Sequence, residues 1–130
     1  MSIHNNDAEK EAIREAIMGY YHEGHAKNDA AYYQEILHPE WRFFVLDGDK
    51  KLCIVDRDEY MTWYDPKDFD ATLQWETEFY SIDVTGHLAA VKLRLECQKN
   101  KYIDYFNMMK LDGQWWIVHK MSYPVNKESQ

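Results

Sequence analysis

Three ionisable side chains fall where the surrounding pattern is apolar: His38, Asp104 and His119. His38 stands in LHPEWRFFVLDGDKKL, residues 37–52, between a leucine and a proline, ahead of an aromatic run and an acidic turn. An imidazole titrates near neutral pH, so a histidine facing a cavity there is suited to carry protons. It is equally suited to cap the last carbonyls of a helix or to sit in a core. Asp104 and His119 lie in YIDYFNMMKL and QWWIVHKMSY, segments joined by Asp112-Gly113, which has the chemistry of a two-residue hairpin turn.

That turn sets a register in which Lys110 pairs with Trp115, Met108 with Ile117, Phe106 with His119 and Asp104 with Met121. A hairpin tip at Lys99-Asn100 puts Asp104 opposite Leu95, Phe106 opposite Leu93 and Met108 opposite Val91. Strand side chains alternate between faces and cross-strand partners share one. One face therefore gathers Val91, Leu93, Leu95, Cys97, Phe106, Met108, Trp115, Ile117 and Met121, and Tyr102, Asp104 and His119 fall among them. Asp104 and His119 become diagonal neighbours at roughly 7–8 Å, within reach of each other. A carboxylate on such a face is costly unless it is paired, neutral or next to a wet cavity. Three outcomes follow: a satisfied core hydrogen bond, a cavity-lining pair without chemistry, or a catalytic acid/base pair. The opposite face carries Lys92, Arg94, Glu96, Tyr105, Asn107, Met109, Trp116, Val118 and Lys120. There Tyr105, Met109, Trp116 and Val118 make an apolar patch that predicts a homodimer formed back to back through the sheets.

The elements that must hold these residues are helices first and strands after. A helix is expected from about Asp7 to His25, with Ile13, Ala16, Ile17, Tyr20 and Gly24 on one stripe, Tyr21 beside it and His22 opposite. Asn28-Asp29 caps a second helix over AAYYQEIL, with Tyr33, Ile36 and Leu37 inward. Pro39 ends it and makes His38 an extended hinge. WRFFVL and KLCIV form a hairpin around Asp47-Gly48. Asp56 and Glu59 have the spacing of a capping box and open a third, short helix with Tyr60, Met61, Trp63 and Tyr64. From about Leu73 four strands follow in a meander. The sum is a single α+β domain over residues 1–130, with helices covering one sheet face and flexible ends at 1–6 and 124–130.

Composition bounds the function. The 130 residues are 45% hydrophobic and 15% aromatic, which is enough for one real core. A formal charge of -8 without a basic cluster argues against nucleic acid. There is no signal-peptide pattern and no apolar run near the ~20 residues that span a bilayer, so a cytoplasmic protein without membrane contact is expected. Cys53 and Cys97 read as reduced, buried thiols. His22 and His25 lack a third partner for a metal, and no phosphate loop or nucleophile elbow is present, so neither metal nor cofactor is expected.

IREAIMGYYHEGHAKNDAAYYQEILHPEWRFFVLDGDKKL, DRDEYMTW, SIDVTGHLAAVKLRLE and YIDYFNMMKLDGQWWIVHK together resemble the nuclear transport factor 2-like superfamily. The similarity is greatest to its bacterial putative lumazine-binding branch, beside the polyketide-cyclase-like one. The resemblance implies a cone-shaped barrel of three N-terminal helices on a curved antiparallel sheet, with a pocket at the mouth of the cone. It implies a small, largely apolar ligand lined by Tyr20, Tyr21, Trp41, Tyr60, Trp63, Cys97, Tyr102, Phe106 and Met121. The alternative it implies is a cofactor-free isomerase, dehydratase or cyclase using His38, Asp104 and His119. In that scheme Tyr20 or Tyr21 would join Asp104 as oxyanion donors, and His38 would stand at the position of a carboxylate base.

Overall fold

The computed structural model describes residues 3–127, so Met1, Ser2 and the last three residues, part of the expected flexible ends, lie outside it. The chain opens with a helix in three continuous parts: α1 (Ile3–Ala16), a π-helical stretch (Ile17–His22) and α2 (Glu23–Ala26). A 3-10 stretch (Ala30–Glu35) follows, capped by the Asp29 carboxylate, which accepts from the Ala31 N–H. Strands β1 (Leu37–Leu46) and β2 (Leu52–Asp56) form the expected hairpin. Then come α3 (Arg57–Met61), a short 3-10 turn (Pro66–Asp68), and the meander β3 (Glu76–Thr85), β4 (Leu88–Glu96), β5 (Lys101–Leu111) and β6 (Gln114–Pro124). The three expected helices are thus one long helix, a 3-10 stretch and a helix of five residues. AAYYQEIL is too short to hold an α-helix once Ile36 and Leu37 are drawn into the sheet, where the Ile117 N–H donates to the Ile36 carbonyl.

The six strands make one curved sheet in the order β2-β1-β6-β5-β4-β3. All neighbours are antiparallel except β1 and β6, which run parallel. The long helix lies across one face, tied to β5 by Lys110, whose ammonium reaches both Glu9 oxygens at 2.9–3.0 Å. Between helix and sheet sits the core: Ile13, Ile17, Tyr21, Tyr33, Ile36, Leu37 and Trp41 against Leu93, Leu95, Phe106, Met108 and Ile117. The Asp112-Gly113 turn is as expected, with φ of 51° and 80°.

Two register details depart from expectation. β4 and β5 pair two residues further along, so that Asp104 opposes Leu93 and Phe106 opposes Val91. An even slip leaves every side chain on its face. β5 and β6 pair as expected only as far as Met108 with Ile117; a bulge then intervenes, and Asn107 opposes His119, Phe106 opposes Lys120 and Asp104 opposes Ser122. One extra residue inverts the alternation. Lys120 and Ser122 therefore turn to the helix-covered face, while His119 and Met121 turn away from it. Ile3 to Asn6 belong to α1, and Val125 and Lys127 bond back to Lys101 and to Glu96, so the described parts of both ends are held in the fold.

Candidate functional site

A π-turn inserts one residue into the helical repeat and rotates everything beyond it. Here it takes Tyr20 off the inner stripe, leaving it 36% exposed, and brings Tyr21 and His25 inward. His22 is not opposite the core as expected but half-buried, with Nδ1 2.8 Å from Thr77 Oγ1; burial lowers its pKa. α3 is capped by Asp56, which accepts from the Glu59 N–H, and carries Tyr60; Tyr64 follows just after the helix and its hydroxyl meets that of Tyr60 at 3.1 Å. The 3-10 stretch adds Tyr33, β1 adds Phe43, and the bulge in β6 adds Lys120.

These groups form a connected hydrogen-bond chain. Tyr33 hydroxyl lies 2.7 Å from His25 Nδ1, His25 Nε2 lies 3.4 Å from Tyr64 hydroxyl, and Tyr64 donates to Tyr60 hydroxyl at 3.1 Å. Lys120 Nζ also donates to Tyr60, at 3.3 Å. With both lone pairs of its oxygen taken, Tyr60 gives its own proton to Tyr21 hydroxyl at 3.3 Å. A neutral His25 can accept at Nδ1 from Tyr33, the nearer partner, while the Tyr21 carbonyl oxygen lies 3.3 Å from the same nitrogen. Burial, and then the charge of Lys120, push the His25 pKa well below its usual value, consistent with that neutral form. Burial raises the phenols, Tyr64 to about 12.

Lys120 is 4% exposed. Its ammonium lies 4.3 Å from the Phe43 ring centre, 4.9 Å from Tyr60 and 5.1 Å from Tyr21, a three-sided aromatic cage. Among the described residues, one of its three N–H donors is spent on a side chain, that to Tyr60. Burial lowers its pKa, and Asp104 holds part of it up. Asp104 is 1% exposed, and neither carboxylate oxygen has a hydrogen-bond partner among the described residues. Burial raises its pKa; Lys120, with Ser122 and Tyr21 close by but not in bonding geometry, limits the rise.

A cavity of about 240 Å³ opens beside this cluster, lined by His25, Phe43, Val45, Tyr60, Trp63, Tyr64, Tyr102, Lys120, Ser122 and Pro124. A second, of about 200 Å³, lies on the other side of His25, Tyr64 and Tyr102 and reaches Trp75 and Asn100.

Of the residues expected to line a pocket, Tyr60, Trp63 and Tyr102 do so, and Tyr21 stands behind Tyr60. Trp41 and Phe106 pack behind them, 5.0 Å from Tyr60 and 4.8 Å from Tyr21 respectively. Cys97 is buried at the far end of β4, Tyr20 is at the surface, and Met121 is 46% exposed on the outer face. His119 is corrected to that outer face, where Nδ1 lies 3.3 Å from the Asn107 amide nitrogen and the ring 5.0 Å from Phe44. His38 is corrected likewise. The helical stretch ends before it, Leu37 takes the inward position in β1, and His38 turns out. Its Nδ1 accepts from the Glu40 N–H at 3.0 Å and its ring stands edge-on to Trp116. His38, Asp104 and His119 therefore share no cavity. Sequence reasoning missed His25, Phe43, Tyr64 and Lys120 as cavity-lining residues and Tyr33 as a member of the hydrogen-bond chain. For Tyr64 the signal was present in its spacing from Tyr60, and for His25 in its spacing from Tyr21. For Lys120 there was none.

Both cysteines are free, and no group of three or more His, Cys, Asp or Glu side chains among the described residues could hold a metal ion. Among the described residues, no helix is long and apolar enough to cross a membrane.

A long helix laid on a six-stranded curved sheet, with a pocket at one end, defines the nuclear transport factor 2-like fold. Solved structures of that description match over most of their length. A protein of unknown function from Shewanella baltica OS155 aligns with a TM-score of 0.83 at 22% identity, over 92% of this chain and 96% of its own. One from Silicibacter pomeroyi DSS-3 gives 0.79 at 17%, over 96% and 100%. One from Methylobacillus flagellatus KT gives 0.77 at 22%, over 97% and 96%. Within that fold the chain belongs to the "Putative lumazine-binding" family, whose model matches residues 8–123. No curated protein matches the chain.

Proposed function

We propose that the protein binds a small, largely apolar, single-ring molecule in the cavity beside Lys120, and that it does so as a homodimer. The observation that carries this is a buried ammonium with unspent donors facing an aromatic-walled space. A binding pocket has that make-up: apolar walls with a few placed polar groups. At about 240 Å³ the space is below the ~300 Å³ at which drug-sized sites begin, which limits the ligand to one ring or a short chain. A ligand oxygen would accept from Lys120 while the ring lies against Phe43, Tyr60 and Trp63. The family's description as putative lumazine-binding supports a small-molecule role. Fragment screening by ligand-observed NMR tests the reading. Single-ring fragments carrying one acceptor should bind the native chain and be lost in Val45→Trp, which fills the space. Absence of binding, or binding indifferent to that change, refutes it.

The dimer rests on the outer sheet face. Tyr105 is exposed there, Met109, Trp116 and Val118 are half-buried, and a groove of about 490 Å³ runs past Leu88, Met109 and Val118. An apolar strip on a sheet, interrupted here by Asn107 and His119, fits a second copy of itself. The acid/base alternative through His38, Asp104 and His119 lacks a shared site, because only Asp104 faces inward.

A further inference from the structure

We infer that Lys120 is a carbonyl-trapping amine: it forms an imine with a small aldehyde or ketone held in the cavity by Phe43, Tyr60 and Trp63. This rests on the pocket proposed above and gives its ligand a chemical class. Lys120 is one of the residues lining the cavity, and its Nζ lies within about 5 Å of the Phe43 and Tyr60 rings that line it too. Two requirements of imine chemistry conflict, and the surroundings of Lys120 meet both. Attack needs a neutral amine, which burial favours; the pKa of Lys120 is lowered for that reason. The protonated imine is again a cation, and the three rings within about 5 Å, together with Asp104, stabilise it in place.

The step balances without any further reagent. The Nζ lone pair bonds to the carbonyl carbon as the C=O π bond breaks, giving a carbinolamine. The two amine protons leave with the carbonyl oxygen as water, and a C=N bond remains. The ammonium proton leaves to water in the cavity and one returns from it to the imine nitrogen, while Asp104, whose oxygens have no hydrogen-bond partner among the described residues, supplies the negative charge that favours the cation. Tyr60, at 3.3 Å, accepts from Nζ and so holds the amine in place against the cavity wall.

The test uses benzaldehyde with sodium cyanoborohydride at neutral pH on the intact protein, read by whole-protein mass and peptide mapping. Benzyl alcohol, of similar shape without a carbonyl, is titrated in parallel by saturation-transfer NMR. The inference expects one benzyl group, placed on Lys120 before the exposed Lys67 and Lys99, and blocked by excess benzyl alcohol. Lys120→Arg should abolish that adduct while leaving surface labelling unchanged. If benzyl alcohol binds but the adduct spreads over exposed lysines and spares Lys120, the inference is overturned and the pocket stands. If benzyl alcohol does not bind and Lys120 is not labelled, both fall. Mapping on the native chain needs no variant to fold.

Discussion

Replacing Lys120 by Met and Asp104 by Leu, singly and together, separates a coupled buried pair from two independent polar residues. Removing either partner strands the other. In Lys120→Met, the Asp104 carboxylate has no hydrogen bond to fall back on and takes up a proton. At pH 7, protonating a carboxyl whose ordinary pKa is 3.8 costs at most about 4 kcal/mol, at ~1.4 kcal/mol per pH unit. In Asp104→Leu the lysine loses its proton instead, and from an ordinary 10.5 the ceiling is about 5 kcal/mol. Each single change should therefore destabilise by about 2–4 kcal/mol, overlapping the lower part of the ~3–5 kcal/mol for breaking a buried pair. The double change leaves an apolar floor and should lie within about 1 kcal/mol of the native chain, since buried pairs are often replaced by apolar side chains without loss. Urea denaturation of all four proteins gives the cycle. The pH dependence sharpens it. Asp104 in Lys120→Met has a folded pKa above its unfolded one, so the folded state holds an extra proton and the defect shrinks as pH falls toward 3.8. Lys120 in Asp104→Leu has a folded pKa below its unfolded one, so that defect shrinks as pH rises toward 10.5. Additive single effects, or defects that do not move oppositely with pH, would refute the pairing.

Gly24→Ala should destabilise by about 1–2 kcal/mol in the same assay. A Cβ there overlaps the Tyr33 ring at Cε1, so close an approach calls for the upper part of the overpacking range, about 2–3 kcal/mol, and this exceeds the ~1 kcal/mol of helix propensity gained; equal or greater stability would mean the ring does not lie on that helix. His25 is held neutral below its unfolded pKa of 6.5, so the folded state lacks a proton the unfolded chain gains, and stability should fall as pH drops below 6.5, with a slope of up to about 1.4 kcal/mol per pH unit. His22 adds in the same sense, and His25→Gln should flatten the slope; an unchanged slope removes His25 as its source. Tyr105→Asp, on the exposed strip, should shift a dimer to monomer in sedimentation velocity without lowering the melting temperature, and a sedimentation coefficient unmoved by it argues against that face as the interface.

The meander, its hairpin turns and the inward Asp104 were legible because each rests on a local signal. Asp112-Gly113 needs positive φ at both positions, and alternation then carries the face along β5. Even the two-residue slip between β4 and β5 was harmless, because parity survives it. The second helix was not legible for a different reason. Its pattern of Tyr33, Ile36 and Leu37 was right about burial, but burial does not distinguish a 3-10 stretch running into a strand from an α-helix.

Tyr20, His119 and Met121 are misplaced for one shared cause. In the helix, a π-turn adds a residue between Ile17 and His22 and exchanges Tyr20 for Tyr21. In β6, a bulge adds a residue beside Asn107 and exchanges His119 for Lys120. Periodicity cannot see a single insertion, since each segment keeps a regular pattern on either side of it; only the phase changes. Both insertions also occur where they alter the chemistry. Without the π-turn, His25 would leave the tyrosine chain; without the bulge, an imidazole would occupy the position of the ammonium. Each irregularity interrupts a hydrogen-bond ladder, and such features are retained where they re-aim a side chain. That two of them converge on Tyr60, one through Tyr21 at 3.3 Å and one through Lys120 at 3.3 Å, is a structural reason to place function at this end of the sheet.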